Sequence, residues 1–460
     1  MPTMPTMPTT PPPPSATPPQ ADPSIAERIR HTMRVSVVEG GATQVFLNWT
    51  SGAVLVGFML HLGASATDIA LVASVPLLAQ AASPLAALAA DLLGRRRLLT
   101  ALVAILGRGI WVLAAVLPAL GLPAAELPGL MVLLVLVSSL FQASNGTLWS
   151  AWMGDVVPER QRGRYFGFRA GVVGVVGMLA NLAAGWFLDR VAAPVGFQVV
   201  IVVAVLSAGV GVALYFRQYD PPSPRRRAAL RDVLVTPLRD ANFRRFLIFA
   251  AYWQFVVLLA APFVIPYFLE QLKLSFTEIA IWSGIAATTA LLTSSLWGRV
   301  ADRVGNKSVL ALGAFLAGTL LPATWILAGF TGHVYWIWIA GVCDALAWGA
   351  ATPALFNLAL VSAPSEGRVA FIAMYSLVAG VAGFLGGVLS GPLLTLLQAA
   401  PLHLFGMTWT GYHSLFLISG VGRSQAWRLL RPVREAEAWR TRDLLREMRT
   451  GWRRIGFPWR

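Results

Sequence analysis

Twelve apolar stretches, most of them close to 20 residues long, follow one another along this chain and leave it little choice of fold. A hydrocarbon layer of ~30 Å takes about 20 helical residues to cross. Only helices and closed barrels satisfy their own backbone polar groups in it. A window of about 19 residues places the spans at Val37–Leu62, Ile69–Ala90, Leu98–Leu117, Leu130–Met153, Phe168–Leu188 and Phe197–Phe216. Six more follow at Phe246–Leu269, Ile279–Trp297, Val309–Phe330, Tyr335–Val361, Ala370–Leu397 and Tyr412–Val421, the last of them short. Hydrophobic residues make up 56% of the chain and charged ones 12%, against roughly 25% charged in soluble domains. The expectation is an all-α polytopic membrane protein.

The formal charge of +15 does not imply nucleic acid, because the basic residues sit in short loops and in the C-terminal tail. Arg28, Arg30 and Arg34 precede the first span. Later basic clusters follow spans two, four, six, eight, ten and twelve, while the other side carries only Arg190 and Lys273. Lys and Arg are retained on the cytoplasmic side, so both termini are expected there, with membrane lipid as a partner of the basic segments. The Pro- and Thr-rich opening, residues 1–33, reads as a disordered cytoplasmic tail. Residues 34–216 form a first six-helix half, 217–245 a basic linker, 246–422 a second half and 423–460 a basic cytoplasmic tail with an amphipathic pattern. The single cysteine, Cys343, allows no internal disulfide, and no metal-ligand spacing or phosphate-binding loop suggests a metal, a cofactor or an enzyme.

The charged loops repeat. Asp91, Gly94, Arg95 and Arg96 align with Asp302, Gly305, Asn306 and Lys307 at a constant offset of 211, each set following the second span of its half. This is a parallel duplication of six helices plus six. Gly298–Lys307, reading G-x-x-x-D-R-x-G-x-K, resembles the loop signature of the major facilitator superfamily of secondary transporters. "DVVPERQRG" at Asp155–Gly163 resembles the element after that family's fourth helix. In the first copy Ala87 and Leu92 depart from the pattern. The resemblance covers roughly residues 34–430 and, in overall phrasing, is nearest to bacterial permeases. It implies two pseudo-symmetric six-helix halves in a bacterial cytoplasmic (inner) membrane, a small-molecule substrate and a monomer. It also implies a gating role for Asp91, Gly94, Arg95, Gly298, Asp302, Arg303, Gly305 and Lys307, with Asp155 and Arg162 in the second motif. A bare positive-inside anchor is the plainer reading of the same charges.

The family's cavity is implied to be lined by spans one, four, seven and ten. Span four carries Ser138, Gln142, Asn145, Trp149 and Trp152 on one helical face, and span ten carries Asp344, Trp348 and Thr352 on another. Span one holds Glu39, Gln44 and Asn48, and span seven Tyr252, Trp253 and Gln254. The substrate-cavity candidates are thus Gln44, Asn48, Gln142, Asn145, Trp149, Trp253, Gln254, Asp344 and Trp348. A carboxylate at mid-membrane costs roughly 3 kcal/mol unless paired, protonated or wet. Asp344 therefore either exchanges protons or meets substrate, or it is a neutral acid bonded to a neighbouring helix. Glu39 is the second coupling candidate. Arg108, mid-way along span three, either pairs with an acid on an adjacent helix or turns toward the cavity. The glycines of span five (Gly167, Gly171) and of span eleven (Gly383, Gly387, Gly391) are expected to be packing surfaces.

Secondary transport by alternating access is the leading expectation, with protons as the candidate coupling ion. Tryptophans beside an acid lean slightly toward an amphiphilic or cationic substrate. The drug-exporter pattern R-x-x-Q-G is not met, since Ser139 stands at its arginine and Ala143 at its glycine. Gly391-Pro392 lies in span eleven, whereas those exporters carry that pair in helix five. Uptake of a sugar or organic acid is the alternative, and a non-transporting membrane sensor or scaffold is the alternative of another class.

Overall fold

Each apolar run coincides, where it is described, with a helix in the computed structural model, which describes residues 23–80, 95–221, 230–364, 368–399, 402–404 and 407–435. Among the described residues ten helices are long and apolar enough to cross a membrane: Ser24–His61, Arg96–Ala119, Ala124–Val156, Glu159–Leu188, Val195–Tyr215, Ala241–Gln271, Phe276–Val304, Asn306–Thr331, Tyr335–Ser362 and Ala370–Gln398. Two shorter ones, Ala66–Ala79 and Gly411–Gln425, take the second and twelfth places in chain order. A two-stranded hairpin, Leu402–Leu404 against Met407–Trp409, precedes the twelfth. Large apolar side chains such as Leu206, Leu292 and Leu396 face outward, as they must in a protein integral to a membrane.

The duplication read from the loops is also written in the packing. In the first half the main contacts join helices one with five, one with six, two with four, three with four and three with six. In the second half they join seven with eleven, seven with twelve, eight with ten, nine with ten and nine with twelve, which is the same set advanced by six. The halves meet along two seams, helix two against eleven and helix five against eight, and these exchange under the same rule. Local signals repeat too. Ser65 with Asp68 and Ser275 with Glu278 form capping boxes at the starts of helices two and eight, each satisfying otherwise orphaned N–H groups.

Lipid supplies little hydrophobic drive between helices, so close packing of small residues holds the seams. Gly383, Gly387 and Gly391 lie against Leu77, Ser74 and Thr67 of helix two, and a Cβ at Gly391 would fall 2.8 Å from the Thr67 Cα. The ridge on span eleven is therefore a packing surface. Gly167 and Gly171 are not, because a Cβ at either position would meet nothing within 4 Å.

Three boundaries differ from the sequence reading. The first helix begins at Pro23, inside the expected tail. Proline suits a helix start, and buried Thr32 accepts a hydrogen bond from the Tyr219 N–H at 2.8 Å, tying the helix to the end of helix six. The linker contains a helix, Leu230–Arg239, and helix seven starts at Ala241, capped by Asp240 on the Phe243 N–H at 2.7 Å. Helix twelve runs on to Gln425, so Arg423 is a buried helical residue and not the first of the tail.

Candidate functional site

Helices one and seven are both interrupted, and at matching places. The first breaks after Trp49, where Ser51 is extended and Gly52 takes φ +55, and it resumes as Gly52–His61. The seventh leaves α-helix after Leu258, makes a 3-10 turn at Ala261–Phe263 and reaches Gln271 through a π-helical turn. The offset of 211 that aligns the two loops carries Thr50–Gly52 onto Ala261–Phe263. Both breaks line one cavity of about 340 Å³ where the halves meet, together with Asn48, Asn181, Trp325, Asp344, Trp348 and Arg423. Irregular backbone at membrane depth survives where it lines a wet cavity or is buried in protein.

The halves are tied together at the end of this cavity away from the basic loops. The Asp189 carboxylate at the end of helix five accepts from the backbone N–H groups of Phe276 and Thr277, at 2.8 and 2.9 Å, where helix eight begins. Gly185 permits the approach, since a Cβ there would lie 2.7 Å from the Phe276 carbonyl oxygen. Toward the basic loops a second space of about 510 Å³ shares Asp344 and Trp348 and extends to Ser294, Gly298 and Asn357. Along that side a Cβ at Gly163, Gly167, Gly171, Gly174 or Gly298 would meet nothing within 4 Å.

Asp344 is half-buried on helix ten, one turn from Trp348. The nearest opposite charge is Arg423, fully enclosed in helix twelve, and each lies in the other's field. They do not close an ion pair; the pairs that join two described residues are Arg96–Asp155, Arg162–Glu159 and Arg169–Glu39. Arg423 instead donates long hydrogen bonds, 3.4 Å each, to the Ala317 and Val257 carbonyls, and its Nε has no partner.

The first half holds its charges differently. Glu39, 1% exposed on helix one, accepts from the Thr43 hydroxyl at 2.8 Å and from Arg169 Nη2 of helix five at 3.2 Å. The Arg169 guanidinium lies over the Trp149 ring, 4.1 Å from its centroid, and Nε donates to the Ser36 carbonyl. Arg108, 2% exposed, turns inward and donates to Gln142, Asn145 and the Tyr215 hydroxyl at 3.5, 3.2 and 3.4 Å. These groups surround a separate cavity of about 180 Å³.

Other expected candidates fall elsewhere. Gln44 donates to Asn48, and Asn48 donates to the Gly177 carbonyl, so this pair ties helix one to helix five with Asn48 also at the central cavity. Span four divides its polar face: Ser138 and Gln142 line a further space of about 500 Å³ with Thr50 and Gly52 of helix one and Ala261 of helix seven, Ser138 also bridges Trp111 and Gly107, and Trp152 is fully buried and donates to the Tyr219 carbonyl. Trp253 is 1% exposed, its ring centroid 5.7 Å from that of Trp348, and supports the cavity wall from behind. Gln254 packs toward Gly383 at the contact with helix eleven.

Asp91 and Gly94 of the first loop lie outside the described residues. Arg95 is exposed ahead of helix three, and its neighbour Arg96 pairs with Asp155. Arg162 donates to the Val157 and Gly154 carbonyls, closing the end of helix four. In the second loop Gly305 takes φ +86 as the single residue between helices eight and nine, a conformation natural to glycine. The Glu435 carboxylate receives the N–H groups of Asn306 and Lys307 at 3.0 and 2.8 Å, and Lys307 Nζ donates to the Arg431 and Val433 carbonyls. Asp302 and Arg303 are exposed.

Arg169 and Arg423 are the site residues that sequence reasoning missed. Arg169 lies within the apolar span drawn over helix five, where an isolated cation needs a partner. For Arg423 the signal was length, because Tyr412–Val421 is too short to cross and any extension forward takes the arginine in.

The family profile of the Major Facilitator Superfamily matches residues 40–387 and again 260–444. The uncharacterised MFS-type transporter YcaD of Escherichia coli is 27% identical over 148 residues, which is 32% of this chain and 38% of the relative's length. A variant of the nucleoside transporter NupG superposes with TM-score 0.68 at 13% identity, over 88% of this chain and all of the other. A D-xylose-proton symporter superposes with TM-score 0.66 at 16% identity, over 90% of this chain and 99% of the other.

Proposed function

The chain belongs to the Major Facilitator Superfamily of membrane transporters, and from that premise we propose that it is a secondary transporter moving a small polar organic solute by alternating access. One observation carries the reading: a mid-membrane cavity at the joint of two duplicated halves, which Asp189 of helix five ties together at one end by holding the start of helix eight, and which is lined by the Asp344 carboxylate, in no ion pair among the described residues. Rocking of the halves along their two seams opens the Asp189 end and closes the basic-loop end around that cavity. The solute and a coupling proton compete for Asp344, which is hydrogen-bonded to Trp348 of its own helix, closes no ion pair among the described residues and reaches both spaces. Arg423 offsets the carboxylate's charge, so a purely cationic substrate fits less well than one offering both donors and acceptors. Both termini and the basic loops lie in the cytoplasm of a bacterial cell, in its inner membrane, and the monomer is the working unit.

The test is flux in liposomes of purified protein against a panel of polar organic solutes, with and without a pH gradient. At least one solute is expected to accumulate with the gradient. Asp344→Asn is expected to slow gradient-driven uptake about tenfold or more, as loss of a charge used in the transport step requires. Binding without flux for every stabilising solute would favour the non-transporting sensor.

A further inference from the structure

The cavity of the first half carries one positive charge more than it neutralises, and its unused polar atoms are all donors. Arg108 and Arg169 face a single carboxylate, Glu39, and each Glu39 oxygen already accepts a hydrogen bond, one from Thr43 and one from Arg169. The amide oxygens of Gln142 and Asn145 are taken by Arg108, and Asn145 Nδ2 is spent on the Thr100 carbonyl. Arg108 Nη1 and Trp149 Nε1, by contrast, are buried without a hydrogen-bond partner among the described residues. Both residues line the same space. An unneutralised buried guanidinium is costly, and each idle buried donor adds its own desolvation penalty. A group with acceptors only and a negative charge relieves both.

We infer that this pocket binds the carboxylate of a small organic solute, held by Arg108 Nη1 and the Trp149 indole N–H, with Arg169 as the second positive charge. Its volume of about 180 Å³ is several times the ~30 Å³ share of a water molecule, enough for a carboxylate and a short stem. Gly146 forms the wall through which the stem leaves: it is exposed, and a Cβ there would meet nothing within 4 Å. The pocket is close to the central cavity along helix one, since Thr43 lines the former and Asn48 the latter. Five helical residues span about 7.5 Å. The inference deepens the transport reading by naming a substrate class, and it rests on that reading only for the claim that the bound solute is carried across.

Equilibrium binding tests it separately from transport. Thermal unfolding of the purified full chain is recorded against acetate, benzoate and succinate, with chloride and phosphate at the same pH and ionic strength. A ligand of the folded state raises apparent stability by mass action. At least one carboxylate is expected to stabilise the wild type where chloride does not. Arg108→Gln, which removes the charge, is expected to weaken the apparent affinity roughly ten- to a hundredfold. Gly146→Leu fills the pocket without touching either arginine and is expected to abolish the response in a folded protein. Asp344→Asn is expected to keep it. Stabilisation by phosphate alone, an equal response to chloride, an unchanged response in Gly146→Leu or its loss in Asp344→Asn would each overturn the assignment. Carboxylate binding with no flux would leave it standing and remove only the transport reading.

Discussion

The two halves share a backbone plan and differ in how they hold charge. Helix pairs, seams, capping boxes and even the breaks in helices one and seven correspond. The charged residues do not: the offset of 211 sets Leu133 opposite Asp344 and Ala250 opposite Glu39. In the first half Glu39 is locked to Arg169 and roofed by Trp149. In the second, Asp344 and Arg423 share a cavity wall without touching as a pair. Duplication thus preserved the backbone geometry in both halves and freed the side chains to specialise. A locked pair resists change of partner, whereas a carboxylate outside any ion pair can trade one partner for another, as the proposed alternating access requires.

That contrast is broken most directly by removing the two acids in turn. Glu39→Ala leaves two buried guanidinium groups with no counter-charge and is expected to cost about 3–5 kcal/mol of stability. Asp344→Ala, at a half-buried site with no closed ion pair, is expected to cost ~1 kcal/mol or less while removing gradient-driven uptake. Thermal unfolding of both variants alongside flux decides the matter. Equal stability losses would show that the halves do not divide structure and response in this way.

A second test uses glycines that look alike in sequence. Gly387→Ala pushes a methyl into Ser74 on the seam with helix two, an overpacking expected to cost about 1–3 kcal/mol. Gly167→Ala points into open space and is expected to change sign, gaining up to ~1 kcal/mol from helix propensity. Activity sharpens the result, because under the proposed alternating access the open space beside Gly167 narrows when the basic-loop end shuts. A Gly167→Ala variant that unfolds later but transports more slowly fits that picture.

A smaller effect is expected at the closed end. Asp189 caps the start of helix eight from the other half, and losing such a cap costs about 0.5–2 kcal/mol. Asp189→Ala is therefore expected to shift the balance away from the closed end by roughly two- to thirtyfold, read by labelling an Asn181→Cys probe in a Cys343→Ser background. Unchanged labelling would mean that the seam, and not the cap, holds this end shut.

The architecture was readable because membrane crossing imposes long periodic signals. Span positions, charge alternation and the offset between loops need no knowledge of tertiary contacts. The site was readable only in part. Asp344, Trp348 and Asn48 stood out as polar residues at membrane depth and do line the central cavity. Helical spacing grouped Gln142, Asn145 and Trp149 correctly on one face, yet spacing has no means of saying which neighbour that face meets. It meets helices three, five and six of its own half. Trp253 was misjudged for a similar reason, since an aromatic on a cavity-lining helix can as well stand behind the wall. The helix breaks left only faint marks, Ser51-Gly52 and Ala261-Pro262, because a short departure from helix needs no change in hydropathy.

The twin loops carry the contrast to its finest scale. The start of helix three, just after the first-half loop, is held from within that half by Arg96 on Asp155, whose side chain is 45% exposed. The second-half loop is held from outside the helical half, by Glu435 of the following segment on the first N–H groups of helix nine. An exposed ion pair contributes about 0–1 kcal/mol. A carboxylate on a helix N-terminus contributes about 0.3–1 kcal/mol at the surface and more where partly buried. Glu435→Gln is therefore expected to destabilise somewhat more than Asp155→Asn, with both near 1 kcal/mol or below. The difference is read best in salt, because added salt weakens the exposed pair more than the half-buried cap. At high salt the Asp155→Asn penalty should vanish while that of Glu435→Gln persists. Equal salt sensitivity would instead place both contacts in the same solvent-screened class and make the tail a surface tether, without a hold on helix nine.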